Sequence, residues 1–159
     1  MNENTRNAFA NELDITEDEL VKLIKENPLE VFGEEITWDP GNVVLKEEQG
    51  GQLYPDIVGR DSQDRTVIVE VKKKTLSKKG EPNDPRNKQV AAEAVGQILH
   101  YASAYIRQYP EAKLRLFIVI QEPSLRVCQR AAKPCEFLRS HDINIHCILL
   151  SNSAISSFF

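Results

Sequence analysis

The run Thr66-Val-Ile-Val-Glu-Val-Lys72 constrains this chain more than any other stretch. Val67, Ile68, Val69 and Val71 are β-branched, which favours an extended, pleated backbone, so the run predicts a buried strand. Glu70 and Lys72 interrupt its apolar character, and a spacing of two puts both on one face. Charges buried in a strand are costly unless they are paired or hold a metal. This strand must therefore sit in a covered sheet and must do something with its charges.

The flanking sequence supplies the cover. Thr16-Glu-Asp-Glu19 is a capping-box pattern opening a helix that carries Leu20, Val21, Leu23 and Ile24 and stops before Pro28. Extended pieces follow at Glu35–Trp38 and Asn42–Glu47, and Gly50-Gly51 turns the chain into Tyr54–Arg60. A tight turn at Asp61–Asp64 then makes a hairpin of Tyr54–Arg60 and Thr66–Lys72. Lys73–Lys88 reads as a polar loop, Gln89–Gln108 as a long helix ended by Pro110, and Leu114–Gln121 as a buried strand. Leu125–Ser140 reads as a helix bent or interrupted at Pro134, and Ile143–Leu150 as a last strand. The order α-β-β-β-α-β-α-β predicts an α/β fold, a mixed sheet with helices on both faces. The chain of 159 residues is expected to comprise an N-terminal arm, 1–15, and one domain, 16–159.

Several function classes drop out. No apolar run approaches the roughly 18–20 residues of a membrane span, and the N-terminus lacks a signal peptide's basic and apolar regions, so a cytoplasmic protein is expected. Cys128, Cys135 and Cys147 fit no metal-binding spacing and read as reduced thiols in or near the core. His100, His141 and His146 are scattered, which argues against zinc. The net charge of −4 hides a segregation: Arg60–Lys88 holds nine basic and five acidic residues, leaving about −8 on the rest. A solvated loop or a polyanion site would each explain that surplus.

Asp56, right after Pro55, starts the strand that pairs with Glu70 and Lys72. Two carboxylates a few ångströms apart form a hard-oxygen site for Mg²⁺ or Mn²⁺, to which the Val71 carbonyl can add. A lysine one side chain away can orient a water or offset developing negative charge. Phosphodiester hydrolysis needs all of these.

Pro55-Asp56, thirteen residues, then Glu70-Val71-Lys72 resembles the PD-(D/E)xK motif of restriction-endonuclease-like nucleases. The stretches Asp56-Ile-Val-Gly-Arg-Asp61 and Val67-Ile-Val-Glu-Val-Lys72 are similar to those around the motif in NucS-type and RecB-type nuclease domains. Gln97-Ile-Leu-His-Tyr101 matches the QxxxY motif of those families, and Thr16-Glu17 resembles the NucS-type pair that opens the first helix. The resemblance covers about Thr16 to Leu150, and no separate N-terminal domain of the NucS kind is expected. It implies a restriction-endonuclease-like sheet and a metal-dependent nuclease acting on DNA, endo- or exonucleolytic, in repair, recombination or defence. It also suggests single-stranded, branched or mismatched substrates. Asp56, Glu70, Lys72, Gln97 and Tyr101 would be catalytic, and Asp56, Glu70, Val71 and Glu17 would hold the metal.

Helical geometry agrees with that transfer. At about 100° per residue, Glu17 lies about 40° from the centre of the first helix's apolar stripe and is expected to face inward. Glu93, Gln97, Tyr101 and Tyr105 recur at i+4 and share a face. Lys73, Lys74, Lys78 and Lys79 are candidate phosphate contacts, with plain solvation an equal alternative, and Trp38 reads as core. A homodimer would suit double-strand cleavage. The competing reading is an inactive module of the same fold that binds nucleic acid or a protein.

Overall fold

The valine-rich run is the middle strand of the molecule's main sheet, and the other elements are laid down around it. The computed structural model describes residues 15–76, 83–121 and 125–158, except the side chains of Asp84, Leu125 and Cys128. The described residues open with helices α1 (Glu17–Glu26) and α2 (Pro28–Phe32), then strands β1 (Thr37–Trp38), β2 (Leu45–Lys46), β3 (Gln52–Leu53), β4 (Ile57–Arg60) and β5 (Thr66–Lys72). It continues through α3 (Asp84–Gln108), β6 (Leu114–Gln121), α4 (Leu125–Arg139), β7 (Ile145–Leu150) and α5 (Asn152–Ser156). The main sheet runs β1-β4-β5-β6-β7, antiparallel from β1 to β5 and parallel from β5 to β7. Each parallel step needs a crossover, and α3 and α4 provide the two. The fold is therefore a mixed α/β sheet flanked by helices. Counting main-sheet strands and the larger helices alone, its order is the expected α-β-β-β-α-β-α-β.

Strand alternation divides the core into two layers. Val58, Ile68, Leu116, Ile118 and Ile120 meet α3 and α4 residues such as Ala94, Ile98 and Ala131. Ile57, Val67, Val69, Val71 and Phe117 meet Leu20, Ile24, Val31 and Ile155 on α1, α2 and α5. Full burial of each such aliphatic side chain contributes about 1.5–3 kcal/mol. Glu70 and Lys72 have the parity of Ile68, so they face the α3 layer. At Gly59 a Cβ would come within 2.6 Å of both the Thr37 carbonyl oxygen and Trp38, so only glycine lets β1 lie against β4. Trp38 is a packing residue: its indole N–H donates to the Lys25 carbonyl at 2.9 Å and its ring meets Phe32.

Several boundaries differ from expectation, each for a local reason. The capping box at Thr16 and Glu19 forms as read. Helix α1 ends at Glu26, before Pro28 as read, and Pro28 then opens α2, where its missing N–H is no loss, with Gly33 at φ 76° closing that helix. Helix α3 starts at Asp84, earlier than Gln89, because Asn83 caps it and Pro85 falls in its first turn. The piece at Asn42–Glu47 contributes only Leu45–Lys46, which pairs with Gln52–Leu53 in a separate two-stranded hairpin. Helix α4 runs through Pro134 without interruption, and α5, capped by Ser151, was not anticipated. Cys135 and Cys147 are reduced thiols, buried and half-buried, with their Sγ atoms 3.7 Å apart. None of the described helices is long and apolar enough to cross a membrane. The N-terminal arm through residue 14, and Lys78 and Lys79, lie outside the described residues.

Candidate active site

The β4–β5 ladder ends at Ile57 opposite Val69. The next position on β4 is Asp56, and before it Pro55, which has no N–H to extend the pairing. The carboxylate of Asp56 takes over: its Oδ2 accepts the Val71 backbone N–H at 2.7 Å. A strand residue's N–H and C=O point to the same edge, so the Val71 carbonyl also faces the fork where β4 leaves β5. The Pro-Asp pair thus stops the ladder and puts two acidic side chains side by side at its mouth.

Glu70 is 3% exposed. Its Oε1 lies 2.8 Å from Lys72 Nζ, while its Oε2 is buried without a hydrogen-bond partner. Burial first, then the Asp56 carboxylate, pushes the Glu70 carboxyl up to about 7 against the pull of Lys72. Asp56 is also raised, chiefly by burial, with the Val71 N–H and Lys72 opposing. Repulsion between two crowded carboxylates is what a cation would relieve.

Helix α3 runs back along β5. Near its start Asn87 accepts from the Thr75 N–H at 2.8 Å and donates to the Thr75 carbonyl at 3.2 Å. Further along, Tyr101 is buried against Glu70: burial, and then the Glu70 charge, hold its phenol well above the ordinary tyrosine range. One turn later the Tyr105 hydroxyl comes within 3.5 Å of Thr66 Oγ1, at the start of β5. Gln97, one turn before Tyr101, therefore lies alongside the exit of β5, and its Oε1 is another buried oxygen without a partner. Glu70 and Gln97 supply two of the three such side-chain atoms among the described residues; the third is Asn152 Oδ1.

Glu17 differs from expectation. It is exposed, at the first position of α1, rather than packed inward. Its carboxyl is nonetheless raised, by partial burial and then by Asp56, with Lys72 and Lys73 opposing. It borders the site from the α1 side. Among the described residues no three His, Cys, Asp or Glu side chains are gathered as a ready cation cage. The donors in place are Asp56 and Glu70, with the Val71 carbonyl beside them. Mg²⁺ usually takes only one or two carboxylates and completes its shell with water and substrate phosphate, so this donor set fits it. Lys73 and Lys74 are half-buried at the strand's exit, and the Lys74 N–H donates to the buried Gln121 Oε1 at 2.8 Å.

Gln121 and Asn87 escaped the sequence reading. Both hold the segment after Lys72 in place, and each looked like an ordinary polar residue at an element's end. A cleft of about 590 Å³ lies at the other end of the sheet, lined by Arg60, Tyr105, Tyr109 and Lys113 among others, away from the carboxylates.

No protein-family model matches the chain, and no curated protein matches it significantly. Among solved structures it is similar to a repair endonuclease from Pyrococcus abyssi: 18% identity and a TM-score of 0.49, over 87% of this chain and 48% of that one. It is similar to EndoMS in a complex with double-stranded DNA, at 21% identity and a TM-score of 0.47, over 86% of this chain and 45% of that one. For EndoMS in its apo form the identity is 22% and the TM-score 0.48, over 87% of this chain and 47% of that one. The chain thus spans about half the length of these structures.

Proposed function

We propose that this chain is a divalent-metal-dependent nuclease that hydrolyses DNA phosphodiester bonds at the fork between β4 and β5. One observation carries the reading: the buried Glu70 oxygen left without a partner, beside a second carboxylate and a lysine amine. A native fold rarely leaves such an atom unsatisfied unless something else binds it. Asp56 and Glu70, with the Val71 carbonyl, would hold Mg²⁺ or Mn²⁺, which supplies charge relief at the phosphate and a more acidic water. Glu17, at the rim and close enough to feel Asp56, would add negative charge near that ion.

The chain's own groups have distinct parts in the reaction. Water oxygen bonds to phosphorus as the ester P–O bond breaks; one proton leaves the water and one must reach the departing oxygen. Lys72, 15% exposed and fixed on Glu70, would orient that water and stabilise charge growing on the phosphate. Tyr101 keeps its proton and so offers an O–H donor to Glu70 or a phosphate oxygen. Gln97 presents an amide to the same space and can bind a phosphate-bound water. Walls from α3 and β5 keep the site dry on one side, which strengthens these interactions. The resemblance of its motifs to NucS-type nucleases supports single-stranded, branched or mismatched DNA as the substrates to test.

The test is a cleavage panel of single-stranded, duplex, flap, mismatched and junction DNA in Mg²⁺ and in Mn²⁺. Asp56→Ala and Glu70→Ala should abolish cleavage, and a chelator should abolish it in the parent. An inactive module would bind these DNAs without any metal-dependent product, and that result overturns the proposal.

A further inference from the structure

Helix α4 carries Arg126, Arg130 and Lys133 at i, i+4 and i+7, on one face, all exposed. With Lys88 from the second turn of α3 and with Gln129, they line a hollow of about 300 Å³ that no carboxylate among the described residues enters. None of the four cations has an ion-pair partner among the described residues. A chain with net charge −4 has acid to spare, so four unneutralised cations gathered in one hollow face an anion from outside.

Position identifies the anion. A small crevice lined by Lys72, Lys73, Lys74, Asn87, Ile120, Gln121 and Val127 joins the exit of β5 to the starts of α3 and α4. Asn87 and Val127 are the chain neighbours of Lys88 and Arg126. The basic hollow therefore continues from the carboxylate fork along the same end of the sheet. The row from Arg126 to Lys133 covers about 10 Å at 1.5 Å per residue, close to the axial rise of about three nucleotides of one strand.

We infer that Lys88, Arg126, Arg130 and Lys133 form a docking track for the phosphate backbone of the DNA strand beyond the bond being cut. The track rests on the nuclease reading above and adds to it where the substrate runs. Its contacts are to phosphates, so it sets affinity and strand path without reading sequence.

The experiment compares the parent with Arg126→Ala/Arg130→Ala/Lys133→Ala and with a charge-matched control, Lys22→Ala/Arg60→Ala/Lys113→Ala, whose cations lie elsewhere. Binding to fluorescent single-stranded and duplex oligonucleotides is measured in chelator across a salt series, and cleavage is then measured in metal. The α4 variant should lose about 2–3 from the slope of log K against log salt, since each phosphate contact contributes roughly 0.9. It should show KM raised about tenfold with kcat nearly unchanged, while the control keeps the parent slope. Equal slopes for all three proteins, or equal losses in both variants, overturn the track. A parent that cuts DNA with an α4 variant unchanged sinks the track alone; a parent that neither binds nor cuts DNA sinks the nuclease reading with it.

Discussion

Two carboxylates are buried on the same hairpin, at opposite ends, and they are treated in opposite ways. Asp61 closes the turn between β4 and β5. Its Oδ1 accepts the backbone N–H groups of Gln63 at 3.0 Å and Arg65 at 2.9 Å, and its Oδ2 meets Arg65 Nε at 2.8 Å and Arg115 at 3.1 Å. Burial alone would raise its carboxyl, but the Arg65 N–H, the Arg65 guanidinium and the Gln63 N–H outweigh that and lower it. Glu70, at the other end, has one amine on one oxygen and no satisfied hydrogen bond on the other, beside Asp56 and Tyr101, and is pushed up to about 7. Every hydrogen-bonding opportunity at Asp61 is spent on holding the chain. Glu70 keeps one open, at a cost to folding that only a ligand would offset. The difference separates a carboxylate that builds the fold from one the fold leaves available.

Substitutions at the two ends should therefore move different observables. The largest effect is expected from Glu70→Gln: cleavage falls by about a thousandfold or more, while the thermal midpoint stays equal or rises, because a buried charge has been removed. A midpoint that drops with activity would make Glu70 a structural residue like Asp61. Asp61→Asn is the mirror experiment. It should cost about 2 kcal/mol of stability in denaturant titration, since the carboxylate lies near the surface although its partners close it off, and kcat of the folded protein should change little. Next is Tyr101→Phe, which keeps the packing and removes the O–H; kcat should fall about tenfold with KM and melting unchanged.

The smallest effect lies in the acid limb of stability. The folded Asp61 carboxyl is depressed below its reference value of 3.8, so its contribution is fully present above that pH and fades as pH falls through the lower folded value. Parent and Asp61→Asn stability curves should converge below pH 3.8 and stay apart above it. Curves that remain parallel down to strong acid would mean that the Asp61 clasp is not ionic.

The sequence carried the sheet well because its signals were local: β-branched runs for β5 and β6, a capping box for α1. It put Glu70 and Lys72 on one face for the same reason, since a strand's period of two fixes which side chains lie together. Where the sequence misled, the deciding partner was distant. Glu17 looked inward on a helical wheel; its side chain is exposed at the helix's first position yet close enough to feel Asp56 and Lys72, which a wheel cannot show. Asp61 fell within a stretch similar to nuclease sequences, yet it ties down a turn, with help from Arg115 some fifty residues away. The Asn87–Thr75 clasp and the cations of α4 had no pattern to advertise them, because their meaning depends on two helices starting at the same end of the sheet.

The backbone bond from Val71 to Asp56 has one more consequence. That bond closes with the hairpin, but the burial of Glu70 beside it needs both neighbours of β5, the near one across a short turn and the far one, β6, across the whole of α3. Parallel closure of that kind is slow compared with forming a hairpin or a helix. A refolding chain should thus regain its helical signal before the Glu70 carboxyl is pushed up by burial, and the titration of that group would report that the last long-range pairing has closed.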